Sequence, residues 1–234
     1  MIDRSLNYGR HLIGSFLESS RPYARVVDLG AGHGTDLRIA REKQPGGQFC
    51  GVEVYPEYAT ELKREGFTVL HVDIERDPLP FEEGSVDVVI ANQILEHTKE
   101  LFWILDQVTR SLRVGGAFII GVPNLASFHN RLLLLLGRQP SPIKSASAHV
   151  RGFTKGDIVN FFESCFPDGF VLKNFGGSNF YPFPPAIARV LAKSLPTLAW
   201  GIFFRFEKVR PYADEFLRFP VRARLETNFY LGRR

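Results

Sequence analysis

Residues 25–40, RVVDLGAGHGTDLRIA, run from a β-favouring segment through three alternate glycines, Gly30, Gly32 and Gly34, directly into a helical pattern. A carboxylate, Asp28, sits near the end of the β-favouring run. Glycine-rich strand-to-helix turns hold several ligand types, and spacing discriminates among them. A dinucleotide turn reads GxGxxG, whereas here the spacing is GxGxG and Thr35 stands where the third glycine belongs. A P-loop needs GxxxxGK followed by Ser or Thr, and no Lys follows these glycines. Asp28 would repel a pyrophosphate and attract a cation. The turn is therefore read as a site for a ligand carrying positive charge.

Outward from this stretch, short β-rich runs alternate with helical patterns. ARVVDLG is followed by the helix GTDLRIAREKQ, then the strand QFCGVEV and the helix PEYATELKREG, with Pro56 at its start and Gly66 at its end. FTVLHVD is a third strand. SVDVVIANQ, almost wholly apolar, is a fourth, of the kind covered on both faces. The pattern KELFWILDQVTRSLRVGG predicts a helix ending at Gly115 and Gly116, and AFIIGVP a fifth strand. Such alternation implies a parallel sheet with right-handed crossovers. Beyond Pro123 the rhythm loosens. NLASFHNRLLLLLG is helical, RQPSPIKSASAHVRG is a long loop, TKGDIVNFFESCF is a helix capped by Thr154, and GFVLKNFGG is a strand. A Phe/Pro-rich insert over about 178–220 separates it from RLETNFYLGRR, which is expected to be the last strand.

Composition narrows the function classes. The chain has 234 residues, 44% of them hydrophobic and 23% charged, the balance of a globular domain with its own core. A net charge of +4 without a block of like charges gives nucleic acid no footprint. Cys50 and Cys165 form no CxxC pair, so neither a disulfide framework nor a zinc site is indicated, and a reducing, cytoplasmic setting is expected. The N-terminal segment 1–24 reads as an amphipathic helix and not as a signal peptide, its apolar residues being broken by Arg10, His11 and Glu18. Residues 186–206 come nearest to a membrane span, but Arg189, Lys193, Pro196 and Arg205 interrupt them.

VVDLGAGHGT resembles the first motif, D/ExGxGxG, of the class I S-adenosylmethionine-dependent methyltransferases. The resemblance extends over residues 25–122. Glu53, in GVEVYP, closes the second strand where the family places an acid on the ribose hydroxyls. Asp73, in HVDIERDPLPF, falls where an acid usually meets the adenine amino group. FEEGSVDVVIANQILEH is similar to the fourth-strand motif and LRVGGAFIIGVPN to the fifth. The segment HVRGFT, with His149 and Arg151, resembles a stretch common in a subgroup from polysaccharide and natural-product clusters.

The resemblance implies a single domain with a Rossmann-like, doubly wound α/β fold: a mostly parallel seven-stranded sheet with an antiparallel last strand and helices on both faces. Residues 25–122 would form the cofactor core and 123–234 the acceptor side. It also implies S-adenosyl-L-methionine as cofactor, with S-adenosyl-L-homocysteine as product. The expected cofactor residues are Asp28, Gly30, Ala31, Gly32, Glu53, Val54, Asp73, Ile74, Asn92 and Gln93. His97 and His149 are the candidate catalytic groups, since methyl transfer often needs a base near the nucleophile. No metal-ligand spacing is present, and His33 is read as positional. The expected acceptor is a small molecule or a glycan, methylated at oxygen. Alternatives are a cofactor-binding subunit without catalysis and, disfavoured by GxGxG, a nicotinamide-dependent dehydrogenase. The insert and the RLLLLLG helix are read as core packing, as a cover over the acceptor pocket, or as a surface for a second copy or a membrane.

Overall fold

The computed structural model describes residues 3–232. Seven strands form one sheet: β1 (Arg25–Leu29), β2 (Gln48–Val52), β3 (Thr68–Leu70), β4 (Val86–Asn92), β5 (Leu112–Pro123), β6 (Phe170–Ser178) and β7 (Gly201–Lys208). Their order is β3-β2-β1-β4-β5-β7-β6. The first five run parallel, while β7 is antiparallel to both β5 and β6. This is the expected doubly wound α/β sheet. The chain reverses direction across it between β1 and β4, the kind of switch point where open α/β sheets bind ligands.

Strand alternation divides the apolar residues between two cores. Val26, Val88, Ala117 and Ile119 face one side, where α1 (Arg10–Glu18) and α2 (Thr35–Lys43) pack, together with Leu62 of α3 (Pro56–Arg64). Val27, Val89, Phe118 and Ile120 face the other, against α4 (Leu101–Ser111), α6 (Lys155–Cys165) and α8 (Glu215–Arg222). The register Val26↔Val88 and Val88↔Ala117 keeps each set on its own face. The two remaining helices are α5 (Phe128–Leu135) and α7 (Pro185–Ser194).

Three boundaries differ from the sequence expectations. The helix of KELFWILDQVTRSLRVGG stops at Ser111, because Leu112 already pairs with Val86 and Gly115 adopts φ of +79° within the strand. The third strand ends at Leu70, well before Asp73, which instead opens a turn. RLETNFYLGRR forms no strand among the described residues. The last strand is GIFFRFEK, inside the Phe/Pro-rich insert, where it pairs with two neighbours. The apolar residues of 186–206 are thereby shared among α7, a short 3-10 turn and β7, and no described helix is long and apolar enough to cross a membrane.

The insert's phenylalanines are core residues. Phe203, Phe204, Phe206 and Phe216 are all buried, and Phe206 lies 4.7 Å from the Phe162 ring. Exposed leucines cluster on and just beyond α5, with Leu135 81% exposed, while Leu195 and Leu225 are exposed singly elsewhere. Cys50 and Cys165 are free and buried, and burial pushes both thiols up, to about 11 and about 12.

Candidate cofactor and acceptor site

The segments that follow β1, β2, β3 and β4 lie on one edge of the sheet and enclose a cavity of about 480 Å³. Gly30 and Gly32 form one wall, Glu53 and Val54 a second, Asp73 and Ile74 a third, and Gln93 and His97 a fourth. Tyr55, Tyr58 and Ile94 complete the apolar surface. The glycine turn is left-handed at its key positions: Gly30 has φ of +65° and Gly32 of +49°. A Cβ on Gly30 would stand 2.8 Å from Ile94, whereas one on Gly32 would meet nothing within 4 Å and would point into open space.

Glu53 is the keystone of the turn. It is buried, its Oε2 accepts the Gly32 N–H at 2.8 Å and its Oε1 accepts the Tyr55 N–H at 2.8 Å. The acid therefore joins the end of β2 to the glycine turn after β1. Asp73 organises its own turn. Its carboxylate accepts the Glu75 N–H at 2.9 Å while its N–H donates to Asp77. Gln93 occupies the left-handed region with φ of 58°, where a non-glycine residue is uncommon, and its N–H donates to the Gly121 carbonyl. Its buried amide nitrogen has no hydrogen-bond partner.

Three of the expected cofactor residues stand outside the cavity lining. Ala31 packs into the core. Asp28 is buried, and its carboxyl is pushed well above the ordinary range by burial, with Asp36 and Glu53 adding to the effect. Asn92 points away from the lining. Its amide donates to Asp36 at 2.8 Å and to the Tyr8 carbonyl at 3.0 Å, tying the N-terminal segment to β4. Together Asp28, Asp36 and Glu53 gather acid at this edge of the sheet, with Arg10 at 4.0 Å from Asp36.

The two histidines meet. His97, on the 3-10 turn Leu95–His97, lines the cavity and is exposed, and the His149 ring stands against it edge-on, with centroids 4.6 Å apart. Burial pushes His149 below the ordinary histidine range, as does the neighbouring His97, against a weaker opposing pull from the Pro142 carbonyl. The long loop reaches this position because Val150 N–H donates to the Glu96 carbonyl at 2.8 Å and Arg151 donates to the carbonyls of Thr98 and Lys99. Arg151 thus fastens the loop and lines a different, smaller apolar cavity of about 230 Å³. Glu96, absent from the expected site, is buried beside the histidines, and burial raises its carboxyl to about 8. Its signal in the sequence was an acid next to His97 in the otherwise apolar run ILEH. His33 bonds Glu61 at 2.9 Å and meets Tyr58 edge-on, and is not itself part of the lining.

A family model described as methionine biosynthesis protein MetW matches residues 12–147, more than half of the chain. The chain belongs to the MetW family. The matched span of this family member runs from α1 through the glycine turn and β5 into the long loop. Among curated proteins it is 31% identical over 109 residues to an uncharacterised 37.1 kDa protein of a Streptomyces fradiae transposon, covering 45% of this chain and 32% of that protein. It is 28% identical over 121 residues to a trans-aconitate 2-methyltransferase of Methylobacterium nodulans, covering 50% of this chain and 45% of that one. The MetW-family chain therefore spans less than half the length of these relatives. Among solved structures, the plantazolicin methyltransferase BpumL in complex with S-adenosylhomocysteine superposes with a TM-score of 0.61 at 15% identity, covering 88% of this chain and 86% of that one. The fold is that of the S-adenosylmethionine-dependent methyltransferases.

Proposed function

We propose that the chain binds S-adenosylmethionine in the cavity at the strand ends and transfers its methyl group to a small-molecule acceptor, at oxygen. The observation that carries this reading is the Glu53–Gly32 bond, which joins a buried acid to an open glycine turn in the lining of one cavity. The residues fit the cofactor. Gly32 leaves room where any side chain would intrude, and Gln93 presents a buried amide nitrogen that lacks a partner. The acids gathered behind the turn suit a ligand with a sulfonium and an ammonium group. When bound, the cofactor supplies an electrophilic methyl group on positively charged sulfur.

The chain's own groups do the rest. Glu53 offers its remaining lone pairs to ribose hydroxyls while holding the turn. Asp73 and Ile74 border the adenine end, and Tyr55 and Tyr58 give it an apolar wall. His97 faces the cavity from the opposite wall and accepts the acceptor's hydroxyl proton, the role for which a histidine within reach is suited. His149 sets the orientation of His97 through the ring contact. A small or glycan-like hydroxyl compound matches a cavity that also has to hold the cofactor. The relative named for trans-aconitate methylation, a small acid, supports an acceptor of this size.

The test has two arms. Calorimetry with S-adenosylhomocysteine and with NAD is expected to show binding of the first and much weaker binding of the second, and tighter NAD binding would overturn the reading. Isotope-labelled S-adenosylmethionine offered with panels of hydroxy acids, phenols and glycosides is expected to label an acceptor at oxygen. Cofactor binding without transfer to any panel member would favour a binding subunit.

A further inference from the structure

We propose that Glu96, His97 and His149 hold a divalent transition-metal ion beside the cofactor cavity. Each of these side chains offers one ligand atom, and the three atoms all lie within 4.8 Å of one another. Two independent features point to an absent cation. Glu96 is 2% exposed, yet its Oε2 has no hydrogen-bond partner, and the buried Nδ1 of His149 has none either. Leaving an acceptor of each kind buried and unpaired is costly, and one cation between them satisfies both.

The scaffold around the three is fixed. Glu96 and His97 are neighbours on the Leu95–His97 turn, and the Glu96 carbonyl receives the Val150 N–H at 2.8 Å, one residue beyond His149. Arg151 clamps the same strap through the Thr98 and Lys99 carbonyls. His97 is exposed and lines the cavity, so it can close on the ion while the other two stay in place. Metal bonds of about 2.0–2.2 Å bring ligand atoms to about 3.5 Å from one another. Rotation of the exposed imidazole supplies that contraction.

The donor set selects the class of ion. Two imidazoles and one carboxylate suit zinc, iron(II) and their neighbours, with coordination positions left open. Magnesium and calcium require a fuller oxygen shell than these residues give. The open positions face the cavity side, where His97 stands. On the methyl-transfer reading, a bound ion takes over the activating role from His97, which then serves as ligand and not as base: an acceptor oxygen on the ion would be polarised and its proton released to water. Metal binding itself does not depend on that reading.

The experiment uses the tag-free full chain, stripped with chelator. Cobalt(II) alone is expected to give visible d–d absorption that saturates at one equivalent, and zinc(II) alone to bind calorimetrically with a dissociation constant below about 0.1 mM. Glu96→Gln, His97→Ala and His149→Ala are each expected to weaken binding by about tenfold or more. His129→Ala, at a histidine bonded to Ser127 and Ser141 elsewhere, is expected to leave it unchanged. His97 is exposed, so its variant keeps the test sound if a buried variant fails to fold. No saturable binding, or binding indifferent to His97→Ala, would overturn the proposal. S-adenosylhomocysteine binding is measured separately in chelator, so failure of the cofactor reading and failure of the metal site are told apart.

Discussion

The Glu53 carboxylate receives the Gly32 N–H at 2.8 Å, so a residue at the end of β2 fixes the conformation of a turn that follows β1. Glu53 also receives the Tyr55 N–H at 2.8 Å. Glu53→Ala removes both bonds and leaves two amides to find other partners. Hydrogen bonds to charged groups are worth about 1.5–3 kcal/mol each. The expected result is at least a tenfold loss of S-adenosylhomocysteine affinity by calorimetry, together with a lower melting temperature. Full affinity in the variant would mean that the turn holds itself and that the ribose is bound by other groups.

Much of the lining of this candidate site was legible in the sequence, for a physical reason. Gly30, Gly32, Glu53, Val54 and Gln93 follow strand ends directly, Asp73 and Ile74 lie in the turn a few residues beyond β3, and the ends of parallel strands converge on one edge. Asn92 fell at such an end too, but its side chain turns toward Tyr8 and Asp36, a choice that local pattern does not encode. Glu96 and His149 are brought together by a strap of backbone hydrogen bonds across a long loop, and linear spacing carries no trace of it. The displaced last strand has a similar cause. Ile202, Phe203, Phe204 and Phe206 of GIFFRFEK are buried because β7 lies between β5 and β6, and a short apolar run flanked by charges does not by itself separate strand from helix.

Asp28→Asn should stabilise the protein at neutral pH. Burial holds the Asp28 carboxyl well above its ordinary value, so the native state keeps a proton that the unfolded chain, with a pKa of about 3.9, releases. Below about pH 3.9 both states are protonated and the acid costs nothing. As pH rises, native stability falls relative to the variant until the native carboxyl itself ionises. Melting temperatures from about pH 3 to 8 should therefore converge at the acid end and separate toward neutrality, with the variant higher. Parallel curves would show that the burial of Asp28 carries no such cost. Affinity for the sulfonium cofactor should change little in the same variant, since the native Asp28 carboxyl already carries its proton and lies outside the cavity lining.

Gly30→Ala and Gly32→Ala should separate packing from occupancy. Both positions are left-handed, at φ of +65° and +49°, which costs an alanine about 1–2 kcal/mol. Only at Gly30 does the new methyl meet the protein, 2.8 Å from Ile94. Gly30→Ala should therefore lose more thermal stability. Gly32→Ala should lose cofactor affinity out of proportion to its stability, its methyl standing in open space within the cavity wall. Equal stability losses with unchanged cofactor affinity would place the ligand elsewhere.

Tyr212→Phe tests what holds α8 in place. The Tyr212 hydroxyl donates to Asp106 at 2.7 Å and accepts the Phe216 N–H at 3.1 Å, and all three residues are buried. Removing the hydroxyl leaves a raised, buried carboxyl with only the Gln107 amide. The expected cost is about 1–3 kcal/mol in denaturant unfolding. Cofactor affinity should be untouched, because neither Tyr212 nor Asp106 lines that cavity.

Arg151→Ala should loosen the loop without disturbing the cofactor. Its guanidinium bonds the carbonyls of Thr98 and Lys99, and the residue is absent from the cavity that contains Gly32 and Glu53. Without it, His149 is held against His97 mainly by the Val150 N–H on the Glu96 carbonyl. Hydrogen exchange across residues 138–150 should accelerate, while exchange in β1 and β4 stays as it was. The dissociation constant for S-adenosylhomocysteine should change by less than about twofold, a difference of about 0.4 kcal/mol. Arg151→Lys keeps the charge but not the paired donation, so it should restore little of the protection. If Arg151 instead bound an acidic acceptor, its loss would raise the acceptor's Michaelis constant while leaving loop exchange unchanged, and that pattern would refute the fastening role.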